Sequence, residues 1–205
     1  MRVAPVEVPA TPTSSDGRLA RSERTRRAIV EALRALIIEG DLRPTAPRVA
    51  ERAGVSVRTV WQHFEDVEAL LVEAGRRDLE IAGGYLVPID SSLPYAQRVQ
   101  MLVDARARMY EAMAPVWRAA RLHAPFSAQL RINRDIFMRL AREEVEQVFA
   151  TELADSDDRE TLLDALLIAS AWAAWESLRT DQHLEVDAAK QVVTRWLCAL
   201  CVTAS

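Results

Sequence analysis

Between Gly54 and Phe64 the chain reads GVSVRTVWQHF, which gathers Ser56, Val57, Arg58, Thr59, Trp61, Gln62 and His63 with no carboxylate among them. Thr45 and Arg48 stand just upstream. Hydroxyls, a guanidinium, an amide, an indole N–H and an imidazole suit phosphate oxygens and the edges of bases. They do not suit bond breaking. The three histidines, His63, His123 and His183, are scattered, and no Ser/His/Asp, paired-carboxylate, metal-ligand or phosphate-loop arrangement accompanies them. No catalytic residue, metal or cofactor is therefore expected, and the chain does not read as an enzyme.

The elements that must hold these side chains follow from spacing. Ala50 and Gly54 lie four apart, as two steeply crossed helices require: a small residue where they touch, and one free to turn left-handed at the corner. Val49, Ala53, Val55, Val60 and Phe64 then face inward, which is a helix-turn-helix. Before it, Ser22 caps a helix of about 17 residues whose stripe of Ile29, Leu33, Leu36 and Ile37 stops at Gly40-Asp41. Thr45 caps the second helix, through Ala53, with Pro47 in its first turn. Ser56 caps the third, to about Phe64, and Asp66 the fourth, which runs out at Gly83-Gly84. Beyond these the pattern predicts helices at roughly 95–113, 115–122, 126–152, 158–179 and 187–203, and no alternating stretch supports a sheet. The expected fold is all-α: a disordered tail over 1–17, a three-helix helix-turn-helix domain over 18–66, and a larger helical bundle over 67–205, entered through a connecting helix at 67–82.

The net charge of −4 disguises an uneven distribution. Ten arginines face five acids between Arg18 and Val60, whereas eight acids and one arginine occupy 143–160. Arg18, Arg21, Arg24, Arg26 and Arg27 form a basic arm suited to tracking a phosphate backbone or entering a narrow minor groove. Cys198 and Cys201 are too few for a disulfide framework and point to a reducing compartment. The first residues do not form a signal peptide, and no run reaches the ~20 apolar residues of a membrane span. A cytoplasmic, nucleoid-associated protein without membrane contact is expected.

The segment RVAERAGVSVRTVWQHFEDVEALL, with the helix before it, resembles the DNA-binding head of the TetR family of transcriptional regulators over about residues 24–72. The resemblance implies all-helical homodimers whose third helix enters the major groove. Behind it, a bundle dimerises through its last two long helices and encloses a small-molecule pocket whose occupancy releases DNA. By position, Arg58 and Thr59, with Val57 beside them, face bases or adjacent phosphates, Ser56 and His63 touch the backbone, and Thr45 offers its hydroxyl at a helix N-terminus. Trp61 replaces the family's more usual tyrosine. Val67 stands where lysine is common, so Arg48 or the arm arginines are expected to compensate, with Arg24, Arg27 and Arg48 taken as DNA contacts.

In the bundle, Ala165, Ala169, Ala173 and Ser177 put a small residue on one flank every four positions, and the last helix is apolar nearly all round at Val193, Trp196, Leu197 and Leu200. Together they predict a four-helix interface across a two-fold axis, and hence a palindromic operator on double-stranded DNA. Met109, Tyr110, Met113, Trp117, Arg121, His123, Phe126, Phe137, Trp172 and Trp175 lie on helices that line the pocket in the family. Arg118, Arg121, Arg131 and Arg134 are expected to pair with the acids of 143–160 or to select an acidic ligand. The function expected is a ligand-responsive homodimeric repressor released by a small, largely apolar or aromatic effector. The alternative is a DNA-bound scaffold whose bundle docks a partner protein.

Overall fold

The computed structural model describes residues 14–202, and every regular element among them is helical. In chain order these are α1 (Ser14–Ile38), α2 (Ala46–Ala53), α3 (Val57–His63), α4 (Val67–Gly83), α5 (Tyr95–His123), α6 (Ala128–Val148), α7 (Ala150–Ala154), α8 (Arg159–Ala169), α9 (Trp172–Thr180) and α10 (Val186–Val202), with a 3-10 turn at Ala124–Phe126. No helix among the described residues is long and apolar enough to cross a membrane.

The all-α architecture and the four N-terminal helices agree with the sequence pattern, but α1 is longer than expected. Ser22 is an interior residue rather than a cap, and residues 14–17 of the expected tail belong to the helix; residues 1–13 lie outside the described residues. Arginine, leucine and alanine are strong helix formers, and no proline interrupts the run between Ser14 and Ile38. The helix stops where expected, at Gly40 with φ 99°, where Asp41 N–H donates to Leu36 O at 3.0 Å.

Three other expected boundaries move. Residues 95–122 form one helix through Pro115, because a missing N–H costs one ladder bond while Met113, Val116 and Ala119 stay buried on either side. The 126–152 segment is interrupted at fully buried Phe149. Here Arg98 of α5 donates to Val148 O and, in a fork, to Glu152 at 2.6 and 3.0 Å. The 158–179 segment breaks between α8 and α9. Ser170 O accepts from Arg106 Nη1 at 2.8 Å and from the Tyr110 hydroxyl at 2.7 Å, so side chains of α5 take the place of a ladder N–H. Arg106 itself is 5% exposed and is paired with Glu144 of α6 at 2.9 Å. A buried guanidinium is tolerated only when it is fully hydrogen-bonded, and here those bonds tie α5, α6 and the α8–α9 break together.

A ladder of ion pairs joins α1 to α4: Arg26–Glu73 at 3.5 Å, Glu31–Arg77 at 3.4 Å and the buried pair Arg34–Asp78 at 2.7 Å. Burial pushes the Asp78 carboxyl above its ordinary range, while Arg34 draws it back. Ser127 Oγ donates to Glu68, and His123 Nε2 lies 3.3 Å from Leu42 O. The N-terminal head is thus held to the bundle by polar contacts on two sides.

Candidate DNA-reading face

The corner of the helix-turn-helix is a left-handed glycine cap. Gly54 has φ 68° and ψ 32°, and Val55 N–H reaches back to Ala50 O at 3.0 Å. Val49, Ala50, Val60 and Phe64 are at most 2% exposed, packed with Ile29, Leu33 and Ile37 of α1 and Leu70 and Ala74 of α4. These contacts fix which side of α3 faces out. With 100° per residue, Val57, Trp61, Arg58 and Gln62 fall on one outward arc. All four are exposed, Val57 by 37% and Trp61 by 40%.

The expected contacts do not all survive as free groups. Ser56 Oγ accepts from Thr59 N–H at 3.0 Å and lies 2.8 Å from Thr59 Oγ1, so both hydroxyls serve the cap of α3, and Thr59 is half-buried. Arg48 is paired with Asp41. Arg26, read from sequence as an arm residue, turns inward. It donates to His63 O at 2.6 Å, stacks 4.4 Å from the Phe64 ring centre and approaches Glu73. Its spacing from Phe64 and His63 is tertiary, so no local pattern could have revealed it. Arg24, Arg27, Thr45 and Arg58 are exposed, and among the described residues their side chains have no hydrogen bond or ion pair. His63 is half-buried, with its ring similarly unbonded. Val67 is 46% exposed beside Asp66, which caps α4 by accepting from Ala69 N–H at 2.8 Å.

Residues 29–74 match the family described as bacterial regulatory proteins, tetR family. The helix-turn-helix head thus matches the DNA-binding domain of the TetR family. The fold is shared with solved structures over nearly the whole chain. A transcriptional regulator from Rhodococcus sp. Rha1 is 19% identical with a TM-score of 0.65, covering 89% of this chain and 97% of its own. A TetR-family regulator from Mesorhizobium loti MAFF303099 is 17% identical with a TM-score of 0.61, covering 89% and 98%. A transcriptional regulator from Pseudomonas aeruginosa PAO1 is 18% identical with a TM-score of 0.63, covering 89% and 92%. Comparison with curated protein sequences returns no match.

Behind this TetR-family head, the residues expected to line a ligand pocket mostly pack on each other. Tyr110, Trp117, Phe137, Trp172 and Trp175 form a cluster with ring centres 5.0 to 6.1 Å apart. Met113 is core at 2% exposure, Arg121 faces solvent, and Phe126 is 85% exposed because it sits on the turn before α6. Small spaces remain among the described residues. One, of about 10 Å³, touches Tyr110 and Trp175 and is the size of a single water. Another, of about 80 Å³, lies between Leu79 and Ala82 of α4, Met109 of α5, and Phe137 and Leu140 of α6, with Arg106 and Glu144 at its polar side. Arg106 carried a legible signal, since of the charges Asp104, Arg106 and Arg108 it alone falls on the helical stripe of Leu102, Val103, Met109, Tyr110 and Met113.

The arginines of 118–134 do not pair with the acids of 143–160 as expected. Arg118 forks onto Glu176 at 2.6 and 3.0 Å, Arg131 donates to Ala124 O at 3.0 Å and Arg134 meets Asp135 at 3.4 Å. Nor is the flank of small residues continuous. The break at Ser170 divides Ala165 and Ala169 on α8 from Ala173 and Ser177 on α9, and Ser177 bonds to Asp181 at 2.8 Å. Val193 and Leu197, expected at a dimer interface, are 6% and 0% exposed within the single chain, and Leu200 is half-buried against the same core. Ile168 at 69% and Trp196 at 39% are the large apolar side chains that α8 and α10 leave outside. Cys198 and Cys201 are half-buried, and burial pushes the Cys201 thiol up, as in a structural cysteine.

Proposed function

We propose that the chain is a homodimeric repressor that binds a palindromic operator and is released by a small, largely apolar or aromatic effector. The observation that carries the DNA-reading half is the outward arc of α3, where Val57, Arg58, Trp61 and Gln62 stand exposed on a helix whose other side is locked into the head. Arg24, Arg27 and Thr45 are proposed phosphate contacts around it, and Arg48 joins them if it leaves Asp41. Dimerisation is supported by Ile168 of α8 and Trp196 of α10, exposed apolar groups on two helices that pack together, since apolar surface left outside favours a partner helix. The site of action is the nucleoid in the cytoplasm.

The effector would act by favouring a separation of the two α3 helices that no longer spans one turn of DNA. The space beside Leu79 and Ala82 supports this, because α4 forms its wall and also holds α1 through Asp78 and Arg34. Its ~80 Å³ is well below the ~300–1,000 Å³ of ordinary ligand pockets. That size favours a second reading, a bundle that docks a partner protein.

Selection from random duplex DNA with the purified protein tests the main proposal, which expects an enriched palindrome; no enrichment rejects it. Arg58→Ala then costs roughly 1–3 kcal/mol and relaxes one base pair. Light scattering is expected to give a dimer that Ile168→Asp dissociates. A thermal-shift screen of apolar metabolites without any stabilised hit would favour the docking reading.

A further inference from the structure

Resting on the DNA-reading proposal above, we infer that Val57 and Trp61 read the 5-methyl groups of thymine, beside the base that Arg58 contacts. The two side chains are four apart on α3, so they stand one above the other on the same outward arc. Neither is buried in the head's core, and Trp61 has no ring or hydrogen-bond partner among the described residues. A seven-residue helix thus keeps about two-fifths of two large apolar groups open to water while Val60 and Phe64 fill its buried side.

The surroundings specify what covers them. No carboxylate occurs from Ala53 to Phe64, Arg58 flanks the pair with its guanidinium unpaired, and Arg24, Arg27 and Thr45 add exposed donors in the same head. An apolar patch with a cationic rim free of acids is complementary to a polyanion that carries apolar groups. The major groove offers one such group, the thymine methyl, projecting next to the hydrogen-bonding edges of neighbouring bases. A hydroxyl or carboxylate at position 57 or 61 would instead select an edge. Ser56 and Thr59, the hydroxyls nearest this arc, are engaged in capping, which leaves apolar contact as the means of reading at Val57 and the ring of Trp61 as its apolar neighbour, with the indole N–H free for an adjacent phosphate.

Replacing thymine by deoxyuridine removes the methyl and leaves every hydrogen-bonding atom in place. In the half-site enriched from random DNA, each thymine is replaced in turn, and the affinity of the full-length protein is measured at fixed salt. One or two replacements are expected to weaken binding by about fourfold each, the equivalent of one buried methyl-sized group. Val57→Ala or Trp61→Ala is expected to bind the thymine and deoxyuridine duplexes alike at its own position, measured well below the unfolding midpoint of each variant. Val57→Ile is expected to keep the discrimination. Indifference of the wild-type protein to every replacement, or a full penalty retained in both alanine variants, overturns the inference while leaving DNA binding intact. Failure to enrich any sequence overturns the inference together with the proposal on which it rests.

Discussion

Arg26 separates a phosphate-binding arm from a structural strut, and Arg26→Ala distinguishes the two by different observables. In the structure its guanidinium donates to His63 O at 2.6 Å, lies 4.4 Å from the Phe64 ring centre and meets Glu73 at 3.5 Å, with 36% of the side chain exposed. A hydrogen bond from a charged donor contributes about 1.5–3 kcal/mol, and a partly exposed cation–π contact about 0.5–1 kcal/mol. The Glu73 pair is half in solvent and adds little after screening. Because the three share one side chain they are not additive, and the expected loss is about 2–3 kcal/mol. For a chain of this length that lowers Tm by about 5–10 °C. A phosphate contact predicts the opposite signature: unchanged Tm, and a slope of log K against log salt reduced by about one for each phosphate released. Arg27, one residue on, is exposed and unpaired among the described residues, so Arg27→Ala is expected to change the salt slope and leave Tm alone. Thermal unfolding together with a salt titration of DNA binding measures both. An Arg26→Ala protein with wild-type Tm and a shallower salt slope would refute the assignment.

Removing one partner of the buried pair Arg34–Asp78, as in Asp78→Asn, is expected to cost about 1.5–3 kcal/mol in denaturant unfolding, the loss of one charged hydrogen bond, because Arg34 keeps its pair with Glu31 at 2.8 Å. Replacing both by apolar residues of similar volume, Arg34→Met with Asp78→Leu, is expected to recover most of that loss. At Gly54, φ 68° lies where an L side chain is strained although nothing stands within 4 Å of the added Cβ. Gly54→Ala should therefore lower stability by about 1–2 kcal/mol through the backbone alone, with Gly54→Asn less affected, and an unchanged unfolding midpoint for the alanine variant would contradict this. For Glu152, burial pushes the carboxyl up, but the hydrogen bonds from Arg98 outweigh it and hold the folded pKa below the ordinary glutamate value. Its contribution is thus fully present above pH ~4.3 and fades as pH falls through the lower folded value. Glu152→Gln is expected to flatten that acid limb in a series of unfolding curves, and an identical limb in both proteins would exclude Glu152 as its source.

Local sequence carried the head almost completely. The left-handed corner at Gly54, the caps at Ser56 and Asp66 and the stop at Gly40 are decisions of one to four residues, and short-range rules govern them. The outward set on α3 was also legible, since Val60 and Phe64 fix the inner side and 100° steps place the rest. Where sequence alone assigned one free role to every polar residue, it overcounted. Ser56 and Thr59 bond to each other, Arg48 is paired with Asp41 and Arg26 turns inward onto His63 and Phe64.

The bundle was decided elsewhere. Periodicity showed that α8 and α9 are helical, but the break between them depends on Arg106 and Tyr110 arriving from α5, 60 and more residues away in the chain. The same holds for Val193 and Leu197, whose apolar character did not reveal whether they face a second copy or their own α5 and α8. An apolar residue specifies that it will be covered, and only packing specifies by what. Sequence by itself therefore determined the helices, the corner and the chemistry of the reading helix, whose causes lie within a few residues. Tertiary structure decided which arginines remain free, where the long helices break and how little space the aromatic cluster leaves, because those depend on partners that the chain brings together only when it folds.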